Sequence, residues 1–300
     1  KEDGTLVEAN ERTGVWAWKH PHAADGSVTY QLLKGDVRMT EVDFGYEDDK
    51  PVLHNVSVFA EPGQKVAFVG ATGAGKSTLI NVMVGEKVSI VSPKPQTTRD
   101  RILGVLTEDD YQIVFVDTPG IYKARNALTD MMMRTTETSA RSVDYILFVL
   151  DGHEGVTEED FDLIRKYKAL NIPMAVAYTK IDIMPKENIP LDMAKFADSG
   201  LDVDVFPVSA RKGKNIRALK EFLVEKMPEG EKVFVEDIVS DKSEKFMISE
   251  IMREKILLKF DKEIPHGIAI VINIFRLQEN GVWEINLDIV CERASHKAIL

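Results

Sequence analysis

Through the middle of the chain, short unbroken apolar runs alternate with longer stretches of mixed polarity. KVAFVG (65–70), YQIVFVD (111–117), YILFVLDG (145–152), IPMAVAYTKID (172–182) and VDVFPVSA (203–210) each end in polar or small residues. An apolar run without alternation is the pattern of a strand covered on both faces, as in a parallel sheet. Between the runs, helical periodicity is expected around 123–142, 157–170 and 215–227. Strand–helix alternation of this kind predicts an α/β fold, a doubly wound and mainly parallel sheet with its ligand at the strand C-termini. Upstream, VRMTEVDF (37–44) and VLHNVSVF (52–59) read as strands, and Pro62-Gly63 as a turn into the next one. Downstream, FMISEIMREKILLKF (246–260) puts Met247, Ile248, Ile251, Met252, Ile256 and Phe260 on one helical face. Two strands joined across QENG then complete a small α+β region. The expected division is an N-terminal segment over 1–36, a nucleotide-binding domain over 37–228, and a linker with the α+β region over 229–300.

Composition narrows this picture only a little. The chain has 300 residues and a formal net charge of −11, which does not advertise nucleic-acid or anionic-membrane binding. The longest mostly apolar stretch, IPHGIAIVINIF, is too short to span a bilayer and carries Pro265, His266 and Gly267. No signal peptide is visible, and the start at Lys-Glu-Asp without Met suggests a fragment or processed product. One cysteine, Cys291, fits a reducing compartment and is expected to be a buried strand residue, so the expected location is cytoplasmic. Residues 1–36 are weakly patterned and expected to be loop-like; His20 and His22 lack further ligands nearby for a metal.

The chemistry begins at GATGAGKS (70–77), which matches G-x-x-x-x-G-K-[ST] between a strand and a helix. Glycines there let backbone N–H groups of Ala71, Thr72, Gly73, Ala74, Gly75, Lys76, Ser77 and Thr78 turn toward phosphate oxygens at a helix N-terminus. Lys76 is expected to neutralise β- and γ-phosphate oxygens, and Ser77 to ligate Mg²⁺ through its hydroxyl. Asp117-Thr118-Pro119-Gly120 ends the next apolar run, where Asp117 could hold Mg²⁺ and the Gly120 N–H could sense the γ-phosphate. A base-reading element follows in Thr179-Lys180-Ile181-Asp182. The Asp182 carboxylate can accept from N1–H and the N2 amine of guanine, a donor pair adenine lacks, while the Lys180 stem lies over the base. One strand later, Ser209-Ala210-Arg211 could offer the Ala210 N–H to guanine O6. The ligands implied are GTP or GDP with Mg²⁺.

Residues 79–300 resemble the Era family of bacterial GTPases. The resemblance is carried by VGEKVSIVSPKPQTTRDRILGVLTEDDYQIVFVDTPGI, TKID, VSARKGKNI and EDIVSDKSEKFMISEIMREKI. It implies a GTP-hydrolysing domain followed by a KH RNA-binding domain. It also implies contact with 16S rRNA of the small ribosomal subunit during its assembly, and peripheral association with the inner membrane. By the same resemblance, the switch I threonine that ligates Mg²⁺ in the GTP state falls at Thr98, or else at Thr97, so that Lys76, Thr98 and Gly120 form the hydrolytic set. Residues 35–78 instead resemble the start of an ABC-transporter nucleotide-binding domain, in which a tyrosine at the position of Tyr46 stacks on adenine. No LSGGQ-like signature and no apolar strand ending in Asp-Glu follows. The chain therefore reads as a chimera joined at a shared phosphate loop.

Three departures from the Era pattern carry expectations. Gly73 stands where the family carries an asparagine associated with K⁺-assisted hydrolysis, and Ile121 follows the Asp-Thr-Pro-Gly motif where no glutamine can orient water, so turnover should be slow and little stimulated by K⁺. Thr179 replaces the usual asparagine of the base-reading motif and should weaken guanine selectivity. The chain stops before the Gly-x-x-Gly loop expected after ASHKAIL, and residues 229–300 hold 10 basic against 14 acidic side chains, a local charge of −4, so RNA binding should be impaired. Two other readings remain beside the GTPase: an ATP-binding module of ABC type, and a phosphate-loop scaffold that binds nucleotide with little turnover.

Overall fold

In a computed structural model, backbone is described for residues 17–21, 28–32, 37–47 and 50–60, and structure for 65–121, 127–230, 232–260 and 267–293 with 297 and 299. The chain divides into two units, residues 1–63 with 229–233, and residues 64–228 with 234–300. In the first, β1 (Ala17–Pro21) pairs antiparallel with β2 (Val28–Leu32). The stretch expected to be loop-like therefore holds a hairpin. β3 (Val37–Glu47) and β4 (Lys50–Ala60) form a second antiparallel pair with an irregular register. The side chains of Tyr46 and His20, and all of His22, lie outside the described residues.

The second unit is built on a six-stranded sheet. Its strands are β5 (Lys65–Val69), β6 (Ile102–Thr107), β7 (Gln112–Asp117), β8 (Tyr145–Asp151), β9 (Met174–Thr179) and β10 (Asp204–Pro207). They lie in the order β10-β9-β8-β5-β7-β6, all parallel except β6, which runs antiparallel to β7. The pleat sorts successive β5 side chains to opposite faces. Val66 and Phe68 pack with Leu79, Ile80, Leu219 and Leu223, while Ala67 and Val69 pack with Phe148, Phe161, Ile164 and Phe196. Helices α1 (Lys76–Val84) and α5 (Ile216–Lys226) thus cover one face. Helices α2 (Ala127–Arg141), α3 (Glu158–Lys168) and α4 (Asn188–Asp198) supply the other. Because β7 and β8 flank β5 on opposite sides, the chain reverses its winding there, which is where open α/β sheets place their ligands, beyond the C-terminal end of β5.

The doubly wound sheet is the one expected, with two elements the apolar pattern does not reveal. β6 is a short run interrupted by Gly104, whose added Cβ would lie 3.0–3.1 Å from side-chain methyls of Val84, Val88 and Ile80. Here the glycine marks a close approach of α1 to the sheet. α4 carries Pro190 in its first turn, where a missing N–H is tolerated, and buries only Asp192 and Phe196.

Beyond the sheet, α6 (Glu244–Lys259) is followed by the antiparallel pair β11 (Ile268–Leu277) and β12 (Trp283–Cys291). The helical face expected from periodicity is partly wrong. Ile251 is 38% exposed, whereas Arg253 and Glu254 are each only 4% exposed, beside buried Ile256 and Leu257. Periodicity registers apolar residues only, and these two charges are buried because residues 87–97 supply them with partners. Cys291 is half-buried.

Candidate nucleotide-binding site

The phosphate loop leaves β5 at Gly70 and enters α1 at Gly75, which caps the helix in a left-handed conformation at φ 95°. An added Cβ at Gly70 would sit 2.1 Å from the Val149 carbonyl oxygen of β8, so glycine alone fits. Lys76 is buried and donates from Nζ to the carbonyls of Gly70 (2.8 Å) and Ala71 (2.9 Å) across the loop. Burial lowers its pKa to about 8, against the raising effect of Asp117.

Opposite the loop, Asp117 ends β7 with no solvent exposure, and neither carboxylate oxygen meets a donor in hydrogen-bonding geometry. Burial pushes its pKa up, while the Lys76 charge and the Ser77 and Ser89 hydroxyls pull it down. The Ser77 Oγ lies 3.0 Å from the Thr98 Oγ1, whereas the Thr97 hydroxyl is turned away to donate to the Lys94 carbonyl at 2.6 Å. Two hydroxyls and an orphaned buried carboxylate of oxygen-donor type are a fitting set for a hard divalent cation such as Mg²⁺. Among the described residues there is no group of three or more His, Cys, Asp and Glu suited to a metal. The loop after Asp117 is fastened to the phosphate loop: Ile121 N–H donates to the Gly70 carbonyl at 3.0 Å, and a Cβ on Gly120 would meet Thr72 Cα at 2.7 Å. Thr72 and Gly120 are therefore in direct apposition.

The third group lies at the ends of β9 and β10. The Thr179 hydroxyl lies within donating distance of the carbonyls of Ala74 in the phosphate loop (2.7 Å) and Leu150 of β8 (2.9 Å), and its one proton can serve either. Lys180, at φ 59°, pairs its ammonium with Asp151. Asp182 accepts from the Ser209 hydroxyl at 2.6 Å, and chiefly this bond holds its carboxyl below the usual range. The Ser209 Oγ also accepts from Lys212 N–H at 3.1 Å, which shapes the turn containing Ala210 and Arg211. The structure thus sets the three motifs beside one another at the C-terminal ends of neighbouring strands, linked by Thr179 to Ala74, Ile121 to Gly70 and Asp182 to Ser209. Sequence reading missed Asp151, although it ends an apolar strand run just as Asp117 does.

This strand order, phosphate loop and carboxylate at the base-reading strand end define a P-loop nucleotide-binding protein of the GTPase class. A profile for 50S ribosome-binding GTPases matches residues 65–180. The GTPase Era of Clostridium kluyveri is 42% identical over 235 residues, 78% of this chain and 80% of that protein. That of Clostridium novyi is 40% identical over the same number of residues. Among solved structures, Era in complex with MgGDPNP and nucleotides 1506–1542 of 16S ribosomal RNA is 36% identical with a TM-score of 0.75, covering 79% of this chain and 81% of its own. An Aquifex aeolicus Era variant bound to GDP·AlF4⁻ also gives a TM-score of 0.75 at 35% identity, covering 80% and 82%. The chain belongs to the Era family of GTPases. Its antiparallel region after the sheet corresponds to that of Era. These similarities give no support to the ABC-transporter resemblance of residues 35–78, to a chimera, or to truncation.

Proposed function

We propose that the chain is a Mg²⁺-dependent GTP switch in which Asp182 selects guanine. The observation that carries this reading is the Asp182 carboxylate, ionised and oriented by Ser209 at the strand end where a base would lie. Ala71 to Thr78 wrap the phosphates, and Lys76 turns its ammonium to the β- and γ-oxygens. Ser77, Thr98 and Asp117 would hold Mg²⁺, and the chemistry it would supply is charge neutralisation at the phosphate oxygens. The Gly120 N–H faces the γ-phosphate. Thr179, Lys180, Asp182, Ser209, Ala210 and Arg211 frame the base; for Thr179 the part is to fasten the phosphate loop, given its two carbonyl partners.

Intrinsic turnover is slow in this proposal, because Gly73 and Ile121 supply neither a cation-ligating nor a water-orienting side chain. Era has been solved with 16S rRNA, and small-subunit rRNA is the partner by kinship. For residues 229–300 the charge of −4 opposes tight contact with phosphate, so RNA binding is weak in this reading. Cytoplasmic residence is likewise proposed, and no helix among the described residues is long and apolar enough to cross a membrane.

The test is a titration of GTP, GDP and ATP with Mg²⁺ against the parent protein and Asp182→Asn. Losing the carboxylate should cut GTP and GDP affinity about a hundredfold, as for a charge-assisted bidentate contact, and leave ATP unaffected. Equal affinities for GTP and ATP in the parent protein would refute guanine selection.

A further inference from the structure

Residues 87–99, which lead from α1 to Thr98, are fastened along the C-terminal region at successive points. The Glu254 carboxylate accepts from Lys87 Nζ at 2.6 Å and from the Val91 N–H at 2.9 Å. Lys94 Nζ donates to the Phe260 carbonyl, and Arg99 Nη1 to that of Ile268 at 3.2 Å. Between them, Arg253 donates from Nη2 to the Thr97 carbonyl at 2.5 Å, while its Nε is held by Glu250 at 2.8 Å. Arg253 is 4% exposed, so this bond is made away from water.

The Thr97 carbonyl and the Thr98 N–H belong to one planar peptide unit. Fixing that oxygen fixes the plane from which the Thr98 side chain departs, and Thr98 Oγ1 lies 3.0 Å from Ser77 Oγ. We propose that Arg253 is a positioning residue for GTP hydrolysis: from α6 it holds the Thr97 carbonyl and so sets the Thr98 hydroxyl beside Ser77 for the metal. A guanidinium locked on one side by Glu250 and aimed at a backbone carbonyl on the other is a rigid strut of the kind that orients a ligand from behind. The proposal rests on Thr98 being the Mg²⁺ ligand of the GTP state. It makes α6 part of the GTPase site through the backbone, and it requires that the α6 environment respond to the γ-phosphate.

The experiment compares affinities for GDPNP and GDP, with and without Mg²⁺, in the parent protein, Thr98→Val, Arg253→Leu and Arg253→Lys. Arg253→Leu should lose about 10- to 100-fold of the Mg²⁺-supported affinity for GDPNP, the range seen when an outer partner of a metal ligand is removed, and keep its GDP affinity. Arg253→Lys retains a donor for the Thr97 carbonyl and should recover part of the loss. A Thr98→Val protein that shows the loss, beside Arg253 variants that bind as the parent does, overturns the strut. A Thr98→Val protein with an undiminished Mg²⁺ response overturns the metal assignment, and the strut with it. Hydrogen exchange on the unmutated protein serves if Arg253→Leu does not fold. Amides of 244–260 should be better protected with Mg²⁺ and GDPNP than with Mg²⁺ and GDP, and equal exchange in the two refutes the coupling.

Discussion

Gly73 and Gly120 show how differently two glycines of one site constrain it. At Gly120 a methyl group would enter the backbone of Thr72, so this one position of the loop after Asp117 tolerates no side chain. At Gly73 an added Cβ would meet nothing within 4 Å, and the φ of 78° is one that asparagine adopts more readily than most residues. Gly73→Asn should therefore fold and bind nucleotide as the parent does, and its phosphate release should rise with K⁺ while that of the parent stays flat. A K⁺-stimulated parent would show that the asparagine is not the missing element. The motif residues were legible because phosphate chemistry demands particular residue types at fixed spacing. Arg253 was not, because it acts on the Thr97 carbonyl, 156 residues back along the chain, and no local pattern records such a contact.

Helix α6 carries the same lesson in its register. Its periodicity marks an apolar face, yet beside buried Ile256 and Leu257 the docking also uses adjacent charges, Arg253 and Glu254, reaching residues 87–97. Glu254 allows a test by pH. Burial alone would raise its pKa, but the Lys87 ammonium and the Val91 N–H more than reverse that and leave it below the usual range. A carboxylate with a lowered folded-state pKa stabilises above its unfolded value, about 4.3, and that contribution is lost as pH falls through the lower folded value. Acid unfolding followed by circular dichroism should accordingly become shallower below about pH 4.3 in Glu254→Gln. An unchanged acid limb would mean that the pair adds nothing to docking. The strands of the sheet were mostly readable because burial on both faces leaves an unbroken apolar run. β6 escaped because Gly104, required by its closeness to α1, interrupts the run.

The molecule as a whole carries a net charge of −11, and its region after the GTPase sheet is itself acidic. Relatives that hold ribosomal RNA must do so with a surface that attracts phosphate, and salt dependence reports how many such contacts form. An oligonucleotide matching the 3′ end of 16S rRNA should bind this chain weakly, in the micromolar range or above, and with a shallow salt dependence between about 50 and 200 mM because few phosphates are neutralised. Tight binding that falls steeply with salt, followed by fluorescence anisotropy, would show instead a basic surface that the local charge balance hides. The fold class and the order of its motifs were legible at this level, since both follow from the alternation of apolar runs and helices. The division into two units was not, because a linker and a strand-rich segment look alike where the pattern is weak.

The Thr179 hydroxyl lies near two carbonyl oxygens, those of Ala74 and Leu150. A hydroxyl has a single proton to give, so at any instant one carbonyl is served fully and the other at best shares it. An asparagine amide would bring two protons and could satisfy both at once. The phosphate loop of this protein is thus tethered by a donor divided between two claimants. Ala74 gains its full bond only when Leu150 gives up its share, so this one tether of the loop to β9 works at the expense of the link between β9 and β8.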